Sequence, residues 1–173
     1  MPQHYADADR PTRWIRRLTV LAILMVIALA VLFYWNQQVR ASLERDGWEI
    51  TNDPLFIPTE GLAGLYIDLA ARKVLSAQKG KQKIVVEIKG FGEQSLTHDF
   101  YESLGQALVY EMALSELGVD WPLFLAIPLV EFNRLEKVPL FIRIFDKFTI
   151  NLIIIDTENQ KIDAWRTQKN IKK

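Results

Sequence analysis

The chain contains no cysteine. Disulfides, thiolate metal centres and cysteine nucleophiles are therefore excluded, and the redox compartment stays open. Histidine is scarce as well. His4 and His98 are too few for a histidine-rich zinc site, so a metal would have to be held by carboxylates, which favours Mg2+ or Mn2+. Net charge is also missing, with 21 basic and 21 acidic residues. Arg10, Arg13, Arg16 and Arg17 precede residue 36, against Asp7 and Asp9, which leaves 17 basic and 19 acidic residues beyond and a balance of −2. A strong, non-specific nucleic-acid binder carries a clear positive excess, so any such grip here must be local, metal-assisted or supplied by a partner. There is no Gly-rich phosphate loop, no zinc-ligand spacing and no internal repeat. What is abundant is apolar: half of the 173 residues, enough for one domain with a real core.

The longest apolar stretch runs from Leu18 to Trp35 without a charge. As a helix it spans roughly 27 Å, the thickness of a hydrocarbon core. Trp14 precedes it and Tyr34-Trp35 close it, as interfacial aromatics do. Arg13, Arg16 and Arg17 put the N-terminus on the cytoplasmic side, and the remainder on the far side, away from cytoplasmic DNA. The expected division is a polar tail over 1–17, a transmembrane anchor over 18–35 and a soluble domain over 36–173. The alternatives are a signal peptide, for which the run is long and lacks a small-x-small cleavage site, a buried core helix, and an extension upstream of the natural start.

Beyond the anchor, Asn36–Asp46 reads as a short helix ended by Gly47, and Trp48–Ile50 begins a strand followed by a turn over 51–54. Gly61–Ala70 reads as a strand with Leu65, Ile67 and Leu69 on one face and Tyr66, Asp68 and Ala70 on the other. The central strand is Lys83–Gly90. Ile84, Val86 and Ile88 share one face, and Val85, Glu87 and Lys89 share the other. A carboxylate and an ammonium side by side near a strand end can hold a divalent cation and steady the negative charge next to it, which phosphodiester cleavage requires. Taken alone, Glu-x-Lys reads equally as a surface ion pair. Asp68 needs a cationic partner if buried, and Lys89 or a metal can supply it. Ser95–Leu117 has the spacing of a long helix capped by Ser95 or Thr97, with Gln106 and Tyr110 one turn apart on one face. On a helix surface that pair can equally be two solvated polar groups. Trp121–Leu129 and Ile150–Ile155 read as buried strands, Pro139–Phe148 as an amphipathic helix with proline in its first turn, and Lys161–Arg166 as a last strand. This order predicts an α/β sandwich with one mixed sheet.

Asp68 on one strand, Glu87-x-Lys89 on the next and Gln106-x3-Tyr110 on the following helix resemble the PD-(D/E)xK nuclease superfamily. Residues 36–166 resemble, more narrowly, the XisH family of fdxN element excision controlling factors. The residues that carry the likeness are Glu44–Trp48, Asn52–Leu55, Tyr66–Ala71, Val86–Lys89, Leu104–Gln106 and Leu125–Pro128. The resemblance implies a restriction-endonuclease-like α/β sandwich with a central mixed sheet, here preceded by one N-terminal transmembrane helix. It implies that Asp68, Glu87 and the backbone carbonyl of Ile88 ligate Mg2+ or Mn2+, with Glu44 as a further candidate. Lys89 orients water or neutralises charge, and Gln106 and Tyr110 position substrate or the lysine. The superfamily's proline is Ile67 here, and the anchor is outside the family's pattern. The family is associated with programmed DNA excision beside a recombinase and an XisI-like companion protein. Two functions therefore compete: a metal-dependent DNA endonuclease, and a non-catalytic accessory factor that binds DNA or the companion.

Overall fold

The computed structural model describes residues 10–55, 74–89 and 95–167. The strand expected over 61–70, Asp68 with it, lies outside the described residues. The chain divides into two compact units, Met1–Tyr34 and Trp35–Lys173. In the first, the apolar run is helical and exposed on all sides, from 43 % at Leu32 to 70 % at Trp14. It is long and apolar enough to cross a membrane.

The apolar run and the helix expected over 36–46 are one helix, α1 (Arg10–Arg45). No glycine or proline occurs between Thr12 and Asp46, so nothing interrupts the backbone ladder. Gly47, at φ 87°, ends it. Trp35 departs from its expected interfacial role. It is 8 % exposed and begins a buried stripe with Val39 and Leu43 at four-residue spacing, the face that packs on the sheet.

The sheet has six described strands in chain order: β1 (Glu49–Asn52), β2 (Val74–Lys79), β3 (Gln82–Ile88), β4 (Leu123–Pro128), β5 (Asn151–Asp156) and β6 (Lys161–Arg166). β3, β4 and β5 are mutually parallel, whereas β1–β2, β2–β3 and β5–β6 are antiparallel pairs. Parallel neighbours need crossovers. α2 (Leu96–Glu116) connects β3 to β4, and α3 (Leu129–Glu136) with α4 (Pro139–Lys147) connects β4 to β5. The side-chain alternation of each parallel strand divides the core in two. Val85, Leu123, Leu125, Leu152 and Ile154 meet α2, α3 and α4. Ile84, Val86, Phe124, Ala126, Ile153 and Ile155 meet the α1 stripe. Both faces are covered, which is why these strands read as continuous apolar runs. Phe100 of α2 stacks on Phe141 of α4 at 4.0 Å between centroids and closes the helical layer.

Two elements were not expected. β2 has a weak strand composition, Val-Leu-Ser-Ala-Gln-Lys, but pairs on both edges and is thereby held extended. α3 begins at Leu129, where the β4 strand was expected to finish.

Candidate functional site

The carboxyl end of β3 carries the charged residues that the sequence singles out. Glu87 projects to the α2 side, as Val85 does, and is 1 % exposed. Its register partners are Val74 on β2 and Leu125 on β4, both in the apolar core. An ionised acid in such a setting needs compensating positive charge or hydrogen bonds, because desolvation costs several kcal/mol (about 3–5 kcal/mol when a partner is removed).

Lys89 follows the last residue of β3 and is fixed twice. Its carbonyl accepts a 2.9 Å hydrogen bond from Trp35 Nε1. Its ammonium lies 2.5 Å from Glu102 Oε2 on α2, with the lysine side chain 13 % exposed. Glu102 Oε1 in turn accepts from Gln106 Nε2 at 2.8 Å. One carboxylate thus joins two of the expected site residues, Lys89 and Gln106. α2 is aligned for this by its N-cap, where Ser95 Oγ accepts from His98 N at 3.2 Å. Thr97 is already inside the helix and is not the cap.

The remaining expected residues fall as follows. Tyr110 is one turn beyond Gln106 and is 3 % exposed, within the core cluster on the α2 side of the sheet. Ile88 is half-buried on the α1 face and pairs with Ala126, one residue past the last described β2 pair. Glu44 is exposed on α1. It lies nine residues beyond Trp35 on α1, about 13 Å along the helix axis, in the layer on the other face of the sheet. Asp68 is outside the described residues.

Glu102, Asp99 and His98 were not anticipated. Their ligand atoms lie within 4.8 Å of one another, and Asp99 is 3 % exposed. A signal for Glu102 was present, since an acid four residues before Gln106 is its helical neighbour. That Lys89 would reach the same carboxylate depends on the packing of α2 against β3. His98, Asp99 and Glu102 offer one nitrogen and carboxylate oxygens, the hard donors a divalent cation takes. Separately, Glu87 is buried, and Gln106 Oε1 is a buried acceptor with no hydrogen-bond donor among the described residues.

A cavity of about 740 Å3 lies elsewhere, at the amino ends of β3 to β5, lined by Trp48, Lys79, Lys83, Phe124 and Trp165 among others. None of Glu87, Lys89, Glu102 or Gln106 lines it. Its single acid, Asp46, is paired with Lys79 at 3.2 Å, so the cavity lacks a free carboxylate for cation chemistry.

Helices on both faces of a mixed sheet, with an acid, a lysine and a helix-borne amide at the end of a central strand, define an α/β sandwich with a polar centre at that strand end. The chain belongs to the XisH family: a match to XisH protein spans residues 33–163. Two solved structures are similar over most of the fold. One is an fdxN element excision controlling factor protein from Anabaena variabilis, 30 % identical, covering 76 % of this chain and 97 % of that one with a TM-score of 0.67. The other is an XisH family protein from Nostoc punctiforme PCC 73102, also 30 % identical, covering 76 % and 98 % with a TM-score of 0.67. No curated protein matches. The family match begins at Phe33, so the apolar run up to Leu32 precedes it.

Proposed function

We propose that this protein is a divalent-metal-dependent DNA endonuclease of the PD-(D/E)xK kind, serving DNA excision. The observation that carries the reading is the end of β3: a buried acid, Glu87, two residues before a lysine that is tied to α2. Glu87 and Asp68 would hold Mg2+ or Mn2+, with the Ile88 carbonyl completing the protein ligands. Such an ion supplies Lewis acidity to a phosphodiester and to water. Lys89 keeps positive charge where phosphate oxygens gain negative charge, and its anchored backbone and head group limit the reorganisation this needs. Gln106 lies beside Lys89 through Glu102, and Tyr110 follows it one turn on along α2. The test is nicking of supercoiled plasmid DNA by the full chain in detergent with Mg2+. Glu87→Ala is expected to abolish it, and cutting that is indifferent to this change removes the nuclease reading.

A second reading is an accessory factor that controls a recombinase together with an XisI-like companion. The charge pattern favours it. Outside its buried Asp99, α2 carries Glu102, Glu111 and Glu116 and no lysine or arginine, which is a poor surface for a polyanion. On this reading, companion binding survives substitution of Asp68 and Glu87, and no metal-dependent cleavage occurs.

The helix over 18–34 is, in the same proposal, a single-pass membrane anchor. Its support is an uninterrupted apolar surface exposed on all sides.

A further inference from the structure

α2 packs into the core through Phe100, Ala107, Ala113 and Leu114 and turns its opposite face outward. On that face Tyr101, Leu108 and Met112 are exposed, at 62, 36 and 63 %. With Gly105 they recur at intervals of four, three and four residues, which sets all four on one line along the helix. Single apolar residues are ordinary on a surface, but a continuous helical stripe is the pattern of a face that another helix covers. Gly105 marks its middle. A Cβ there would meet nothing within 4 Å, so the glycine leaves a notch where a partner can approach the helix backbone closely. Tyr101 is a fixed end to the stripe, because its ring lies edge-on to the buried Phe100 at 5.9 Å between centroids.

The charge beside the stripe selects what fits it. Glu111 and Glu116 flank it, both are exposed, and neither belongs to an ion pair among the described residues. α2 has no lysine or arginine. An anionic lipid surface and a nucleic-acid strand are both repelled by such a face. A second copy of α2 brings acids only to acids. A helix whose apolar stripe lies between lysines or arginines complements both the apolar and the charged part. We propose that the outward face of α2 is the docking surface for a basic amphipathic helix of a partner protein. The inference does not draw on the chemistry at the end of β3 and holds for either reading of it.

The chain has no cysteine, so Ser115→Cys, at the exposed edge of the stripe, carries a single environment-sensitive fluorophore that reports contact with α2. The labelled full chain in non-ionic detergent micelles is titrated with two synthetic helices that share a leucine stripe, one flanked by lysines and the other by glutamates. The lysine-flanked helix should bind about tenfold more tightly, with the difference shrinking as salt rises. Leu108→Glu with Met112→Glu should weaken it by about tenfold. Melting curves check the fold of that variant, and a charge-reversed pair tests the same surface without touching its apolar residues. Glu111→Lys with Glu116→Lys should turn the preference toward the glutamate-flanked helix. A face that merely exposes apolar area predicts no such reversal. Equal affinity for the two helices, a signal indifferent to Leu108→Glu with Met112→Glu in a folded chain, or no signal from either helix overturns the proposal. So does sedimentation in which the wild-type chain self-associates and the Leu108→Glu, Met112→Glu chain does not, because a second copy is then the occupant.

Discussion

Asp156 gathers three hydrogen bonds at the turn between β5 and β6. Its Oδ2 accepts from Asn159 Nδ2 at 2.7 Å, and its Oδ1 accepts from the backbone N–H groups of Glu158 and Asn159, each at 3.1 Å. These bonds favour the ionised form, so the carboxyl titrates below its ordinary value, chiefly through the Asn159 side chain, with Lys161 adding attraction. A carboxyl whose folded pKa is depressed contributes stability above its unfolded pKa and loses it as pH falls through the folded one. The turn is therefore expected to loosen only below about pH 4. Asn159→Ala should move the Asp156 midpoint up toward the ordinary carboxylate value in a carboxyl NMR titration; an unmoved midpoint would contradict the assigned cause. At this scale the sequence made Asp156–Gln160 legible as a turn, because Asp and Asn favour such hydrogen bonds. It also made Glu87-x-Lys89 legible as a pair on one face. It did not reveal that Lys89 would turn to Glu102 on another element.

α2 contains a glycine that its own packing does not require. Gly105 is exposed in mid-helix, and a Cβ there would meet nothing within 4 Å. Alanine is about 1 kcal/mol better than glycine in a helix interior. Gly105→Ala should raise the melting temperature by about 2–4 °C, read by circular dichroism, and a lowered midpoint would mean that the glycine serves a contact the isolated fold lacks. The helix was readable from its spacing and from Ser95 because both signals are local. β2 was not readable. Ser76, Ala77 and Gln78 have little strand preference of their own, and the pairing of Ser76 with Val85 and of Ala77 with Ile84 makes them a strand. α1 was misdivided for a related reason. The change from a fully exposed apolar helix to a half-buried one at Trp35 leaves no mark in the backbone, only in what surrounds it.

For the whole molecule, the two units pose different demands on solvent. Trp35–Lys173 buries its apolar strands between helical layers. Met1–Tyr34 exposes its apolar helix all round. If that helix is an anchor, the full chain should sediment with membranes, resist extraction by high salt and need detergent for release. Two arginines at its centre, Leu24→Arg with Ile27→Arg, cost about 2.5–3.5 kcal/mol each on insertion and should shift the protein to the soluble fraction. Recovery of the unmodified chain in the soluble fraction alone would remove the anchor.

The sequence by itself determined the α/β class, the apolar helix, the central strand with its two faces and the membership of a family, because each rests on periodicity, composition or residue identity along the chain. Only the tertiary structure decided that Glu87 is buried between Val74 and Leu125, and that Lys89 and Gln106 share Glu102. Those relations join residues far apart in sequence through strand register and helix packing, and no local signal encodes either.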